Sequence, residues 1–258
     1  MKQTINIFWF RRDLRLEDNV GLYQALQSDH PVLPIFIFDK DILDKLPRDD
    51  ARVTFIHDTL QELNSKLNDK YKSGIAMYHG TPEIIYKQLI EEYSIHTVFT
   101  NHDYEPYATT RDNAINELLN ANNINFKTFK DQVIYERNDI VKDDGNPYKV
   151  YTPYSRKWLA AFEANGLTFS PSESKLDNTL KTGAYPNLSL STIGFTETLV
   201  KVPQYIVNKG LINTYEATRN FPAQDSTSKL GPHLRFGTVS VRQMVKKASK
   251  EENKTFLK

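Results

Sequence analysis

No cysteine occurs among the 258 residues, which excludes disulfides and any zinc or iron–sulfur centre held by thiolates. No apolar run approaches the roughly 18 residues that a bilayer requires. The N-terminus runs into an apolar, strand-like segment with charges behind it, unlike a signal peptide. The expectation from these absences is a monomer of the cytoplasm with no membrane partner. The ten glycines are scattered, and neither G-x-x-x-x-G-K-[ST] nor G-x-G-x-x-G occurs. A G-x-S-x-G elbow is also missing, which argues against an α/β-hydrolase. The six histidines show no H-x-H or H-E-x-x-H spacing, so the expectation is no metal.

What is present is an ordinary globular composition, 39% hydrophobic and 25% charged. The net charge of +1 hides an asymmetry. Residues 201–258 hold 11 Lys+Arg against 4 Asp+Glu, a balance of +7, which leaves −6 for the first 200. A basic end on an acidic body fits either contact with phosphates or a solvated, lysine-rich helical face.

Apolar runs at 5–10, 32–39, 75–80, 96–101 and 124–129 alternate with helical spacing at 20–27, 51–71, 81–93 and 108–122. In the long helix Val53, Ile56, Leu60, Leu63 and Leu67 share one side, and Thr81 followed by Pro82 reads as a helix start. Such alternation predicts an α/β fold, a five-stranded parallel Rossmann-like sheet with helices on both faces. Ligands bind at the carboxyl ends of such strands, so 38–41, 78–80 and 100–107 should line the rim. The expected organisation is an α/β domain at 1–130, an inter-domain connector at 131–195, helical only near 152–165, and a helical segment at 196–258.

Four blocks carry chemistry in order. FWFRRDLRLEDNVGLYQAL (8–26) sets three arginines and Asp13 just past a strand. As physics this is more simply a salt-bridge knot securing the turn than a ligand contact. YEPYATTRD (104–112) and GNPYKVYTPYSRKW (145–158) follow. In YEATRNFPAQDSTSKLGPHLRFGTVSVRQ (215–243), hydroxyls at Ser226, Thr227 and Ser228 and the charge of Lys229 precede a helix start. That suits either an anion or an ordinary N-cap. Beyond it Arg242, Lys246 and Lys250 share one helix face, a stripe suited to tracking a nucleic-acid backbone.

Together these blocks resemble the DNA photolyase and cryptochrome family. The resemblance implies an N-terminal, antenna-binding α/β domain and the start of an all-helical FAD-binding domain, most of whose helices lie outside this sequence. It implies a light-driven lyase that repairs cyclobutane pyrimidine dimers in damaged DNA by electron transfer from reduced flavin. The alternatives are a cryptochrome photoreceptor and a nucleotide-binding α/β module acting without light. By resemblance Tyr215, Thr227, Ser228, Leu230 and Gly231 contact FAD, Gly231 standing where a serine is often found. Arg219 faces DNA phosphate. Arg52, Asp103 and Glu105 hold an antenna chromophore. The folate-binding members have an Asn-Glu pair where this chain has Tyr107 and Ala108, so a deazaflavin antenna, a flavin antenna or none is expected over a folate. The only tryptophans, Trp9 and Trp158, do not occupy the family's electron-transfer positions.

Overall fold

A computed structural model describes residues 2–181 and 185–257. They separate into two compact units. The first comprises residues 1–131 and 170–202, and the second comprises 132–169 and 203–258. The stretch 131–195 is thus divided between them, its helical half going to the second unit.

In the first unit five strands form one sheet: β1 (Thr4–Phe10), β2 (Val32–Asp39), β3 (Ala76–Gly80), β4 (Ser94–Asn101) and β5 (Asn125–Phe129). Their order is β3-β2-β1-β4-β5 and every pair is parallel. Between them run α1 (Val20–Leu26), α2 (Lys40–Leu43), α3 (Ala51–Tyr71), α4 (Pro82–Glu92) and α5 (Pro106–Ala121). β1 and β2, at the centre of the sheet, are buried along nearly their whole length because helices cover both faces, whereas the edge strand β5 has no buried residue. Ile5, Ile7 and Trp9 of β1 join Leu33, Ile35 and Ile37 of β2 on one face, packed on Ile85, Tyr86 and Leu89 of α4 and Ile115 and Leu119 of α5. Side chains of opposite parity, Phe8 and Phe10, turn to the other face, where α1 lies. A Cβ added to Gly21 would sit 2.7 Å from Asn101 Oδ1 and 2.9 Å from Phe8 Cε2. Only glycine lets α1 approach the sheet that closely.

A 3₁₀ turn, Ser172–Asn178, packs against α1 and α3. Beyond it Thr179 bridges Val32, and Leu180 N–H donates to the Val32 carbonyl at 2.7 Å. The described part of the Pro-, Ser- and Asn-rich sequence, 170–181 and 185–194, is therefore a strap on the α/β core, held by specific hydrogen bonds.

The second unit contains α6 (Tyr151–Asn165), α7 (Lys209–Thr218), α8 (Leu230–Arg235) and α9 (Val241–Ser249). Its buried apolar cluster is small: Leu230, Val239 and Met244, with Tyr205, Val207 and Phe256 partly buried against it. No residue of α6 is buried. Among the described residues no helix is long and apolar enough to cross a membrane.

Candidate functional site

The strand order reverses between β1 and β4, and a parallel sheet opens a ligand crevice at the carboxyl ends of the strands at such a point. The loops that follow these two strands carry the charged residues of the first and second sequence blocks.

Behind the rim, the RRDLR block forms a buried ionic knot. Arg11 Nη1 pairs with Asp112 at 2.7 Å, and its other terminal nitrogen donates to the Asn101 carbonyl. Arg15 Nη2 donates to both oxygens of Asp131, at 2.7 and 2.8 Å. Asp13 accepts from Arg11 N–H at 2.7 Å and from Asn101 Nδ2 at 2.5 Å. Burial raises the Asp13 carboxyl above its ordinary value. Asn101 also donates to Asn19 Oδ1 at 2.9 Å, and its own Oδ1 accepts from Gly21 N–H at 2.8 Å. Asn19 caps α1 by accepting from Leu22 N–H. Arg11 and Arg15 are therefore structural, as the knot reading expected, because each guanidinium has a carboxylate partner about 100 residues away in sequence.

Arg12 behaves differently. Its guanidinium reaches across the switch point to Asp103 at 2.7 Å and Glu105 at 2.8 Å. The structure thus brings together two of the three antenna candidates, and Arg12, which the sequence did not single out, is what holds them. Arg52 is held elsewhere, by Asp50 at the start of α3, through Nε at 2.9 Å and Nη2 at 2.6 Å. This pairing lowers the Asp50 carboxyl.

Beside these acids a second polar group forms at the end of β2. Tyr107 donates its hydroxyl to Asp39 Oδ2 at 2.6 Å. Asp39 is 6% exposed, and burial raises its carboxyl. Burial, and then the Asp39 hydrogen bond, raise the Tyr107 phenol. Arg111 lies over the Tyr107 ring at 5.7 Å and over Trp9 at 4.9 Å, while Arg11 lies over Trp9 at 5.1 Å. Both guanidiniums lie on one buried indole and share the Asp112 carboxylate, which Arg111 Nη2 approaches at 2.9 Å. At the neighbouring strand end the His79 imidazole is lowered, by burial first and then by Lys40. The sequence placed Asp39 in a rim segment and Arg111 in the second block but assigned neither a role. A carboxylate at the end of a fully buried strand was the available signal.

In the second unit the family-derived positions fall on α7, α8 and the segment between them. Tyr215 is half-buried on α7, its ring edge to face with Phe256 at 5.1 Å. Thr227 is exposed. Ser228 Oγ accepts from Leu230 N–H at 3.4 Å, and the Ser228 carbonyl accepts from Ile206 N–H at 2.8 Å. Lys229 precedes α8 in the left-handed region, φ 56°, with its ammonium paired to Asp225. That pairing offsets the charge the sequence assigned to an anion site. Leu230 is buried in the small core, whereas a Cβ on Gly231 would meet nothing within 4 Å. His233 fixes α8 through Nδ1 to Thr238 Oγ1 at 2.8 Å and Nε2 to the Pro203 carbonyl at 3.0 Å. Arg219, at the end of α7, is exposed. The basic stripe expected on α9 is broken, because Arg242 is buried and Lys246 lies over the Phe169 ring at 4.8 Å.

The fold is a parallel α/β domain with its switch point between β1 and β4, followed by a helical segment. The family model for DNA photolyase matches residues 6–174. Deoxyribodipyrimidine photo-lyase of Synechococcus sp. is 30% identical over 94% of this chain and 53% of its own length. Among solved structures, a bacterial class III photolyase from Agrobacterium tumefaciens superposes with a TM-score of 0.77 at 27% identity, covering 100% of this chain and 56% of that one. An archaeal photolyase from Sulfolobus tokodaii, solved with two FAD molecules, has the same fold, with a TM-score of 0.71 at 24% identity over 97% of this chain and 56% of its own. The chain belongs to the DNA photolyase family, and it spans about half the length of the curated photolyases it matches.

Proposed function

We propose that this chain carries the antenna-binding α/β domain and the opening of the FAD-binding helical domain of a deoxyribodipyrimidine photolyase, a carbon–carbon lyase that splits cyclobutane pyrimidine dimers in damaged DNA under light. One observation carries the reading. The similarity does not stop where the family model ends at residue 174 but extends over 94% of the chain, through the helical segment.

FAD, when bound, supplies the light-absorbing electron donor of this chemistry. The residues present fit part of such a ligand. The exposed Thr227 hydroxyl and the neighbouring Ser228 offer hydrogen bonds to a diphosphate, and the empty space around Gly231 lets a ligand approach the backbone. Tyr215 presents a half-buried ring. The Leu230 side chain is committed to the core, so its contribution comes from the main chain. Lys229, tied to Asp225, shapes the turn and adds little charge. Arg219 offers an exposed guanidinium to DNA phosphate, which makes binding salt-dependent.

In the first unit Asp103 and Glu105, presented by Arg12, accept hydrogen bonds from an antenna chromophore, while Arg52 stays tied to Asp50. A deazaflavin or flavin suits acceptors of this kind. Tyr107, closed onto Asp39, occupies the position of the folate-binding pair.

The test is FAD and DNA binding by the purified chain, followed by illumination with dimer-containing DNA. Flavin binding that weakens in Thr227→Ala, with a preference for dimer-containing over intact DNA that falls in Arg219→Ala, supports the photolyase reading. Flavin binding with no preference for the lesion points to a cryptochrome. No flavin binding, and no absorbance near ~350–450 nm from a bound chromophore, would leave a light-independent nucleotide module. Residues 1–258 alone are expected to bind FAD weakly and to show no repair, because most of the ligand surface stays wet.

A further inference from the structure

The opposite end of the sheet carries a feature that light-driven repair does not use. At the amino ends of the strands His30, in the turn before β2, meets His96 of β4, with ring centroids 4.9 Å apart and planes inclined at 59°. Neither position is accidental in its backbone. Ile5 pairs with Ile95 and Asn6 with Thr97, so His96 is skipped in the β1–β4 register. A bulge of this kind re-aims one side chain and is rare between parallel strands. The turn bearing His30 is clamped by Asn178, whose Nδ2 donates to the carbonyls of Leu26 (3.0 Å), Ser28 (3.0 Å) and His30 (3.4 Å).

The chemistry of the pair is that of metal ligands. With Zn–N near 2.0–2.1 Å and a ring nitrogen about 1.2 Å from its centroid, two imidazoles at a tetrahedral angle have centroids roughly 5.2 Å apart. The observed 4.9 Å is close to that spacing, and the rings are inclined at 59° instead of stacked. His96 Nδ1 is 2.9 Å from Thr97 Oγ1. With Thr97 accepting, the His96 tautomer is fixed and Nε2 keeps its lone pair, the usual outer support of a metal-bound histidine. Between the two elements lies Asn6, whose register partners are Val32 and Thr97. Its Nδ2 donates to Ser28 Oγ at 2.6 Å, and its Oδ1 is buried with no hydrogen-bond partner. That carbonyl is an unused acceptor at this end of the sheet, of the kind a metal-bound water requires.

We propose that His30 and His96 form a binding site for one borderline divalent ion, zinc or nickel, at the amino-terminal end of the sheet. Imidazole selects such ions over magnesium and calcium. Among the described residues no group of three or more His, Cys, Asp or Glu could hold a metal, so the ion has two protein donors. Its remaining positions are open to water or to a donor from outside the chain. The ion is therefore exchangeable.

The experiment is calorimetric titration of the purified chain with zinc chloride and nickel chloride, with magnesium chloride as control. Wild type is expected to bind one zinc or nickel ion and no magnesium at this site. His30→Ala and His96→Gln are each expected to abolish the binding, and Thr97→Val to weaken it about 10-fold. Far-ultraviolet circular dichroism confirms that each variant is folded. Should His96→Gln unfold, His30→Ala, which changes a turn residue outside the strands, decides alone. Zinc binding that survives in folded His30→Ala, or wild type that binds neither ion, overturns the proposal.

Discussion

The two compact units spend the same amino acids differently. In the first, large side chains such as Trp9, Phe8, Tyr86 and Leu60 are no more than 2% exposed, and the charged residues near them are paired. In the second, the buried apolar set among the described residues is Ile140, Ile212, Leu230, Val239, Met244 and Ala248, while Val150, Tyr151, Ile206 and Phe221 face solvent. A parallel sheet covered on both faces removes whole strands from water. Of the four helices of the second unit, α6 buries no residue and the other three bury one to three each. Position-specific chemistry follows the same division, with pre-set partners at the sheet rims and exposed hydroxyls, glycine and arginine in the helical unit.

The comparison breaks most sharply at a buried ion pair. Asp131→Ala leaves Arg15 without its carboxylate in a site 4% exposed, and loss of one partner of such a pair costs about 3–5 kcal/mol. Urea unfolding measures this directly, and a loss below about 1 kcal/mol would place the pair among surface bridges. Next come the two cores. Leu89→Ala, at a position 0% exposed, should cost about 3–4 kcal/mol, and Met244→Ala, 6% exposed in the small cluster, about 2 kcal/mol, at the lower end for such truncations. Equal losses would mean that the second unit is as tightly packed as the first.

A smaller effect is expected from pH. The Asp39 carboxyl is raised above its ordinary value of 3.8, chiefly by burial. A raised acid contributes stability that is present below its unfolded value and lost as pH rises through the elevated one. Wild type should therefore lose stability relative to Asp39→Asn as pH climbs from acid toward neutral, and parallel thermal midpoints against pH would contradict this. Smallest of all, Gly231→Ser should change stability by less than about 0.5 kcal/mol, because its Cβ meets nothing within 4 Å. Its readout is FAD affinity, expected to rise with the added hydroxyl.

Much of the first unit was legible in the residues. The five apolar runs became the five strands within about two residues at each end, most clearly in β1 and β2, where burial on both faces leaves a nearly uninterrupted apolar run. Thr81 and Pro82 opened α4 as expected, though Thr81 makes no side-chain cap bond. Strand order was not legible, and neither were the partners of the arginines. Asp112 and Asp131 reach Arg11 and Arg15 only through the folded topology. The bulge at His96 left no trace either, since a skipped residue does not alter composition. The polar sequence at 170–194 reads as a surface connection because the hydrogen bonds of its described residues go to distant backbone, as Asn178 shows. For the helical unit the residues alone gave alternatives, and family resemblance supplied the roles.

Asp131, the last residue of the first segment, and Ser170, the first of the returning one, are fastened to the same loop. Arg15 holds Asp131 and the Asp18 carbonyl, while Asp18 Oδ1 accepts from Ser170 N–H at 2.7 Å. The 38 residues between them leave and re-enter the α/β domain at neighbouring points. A single protease cut within that excursion would then yield two polypeptides that still migrate as one particle. The same excursion is a natural place to open the chain for circular permutation or to splice in a foreign module.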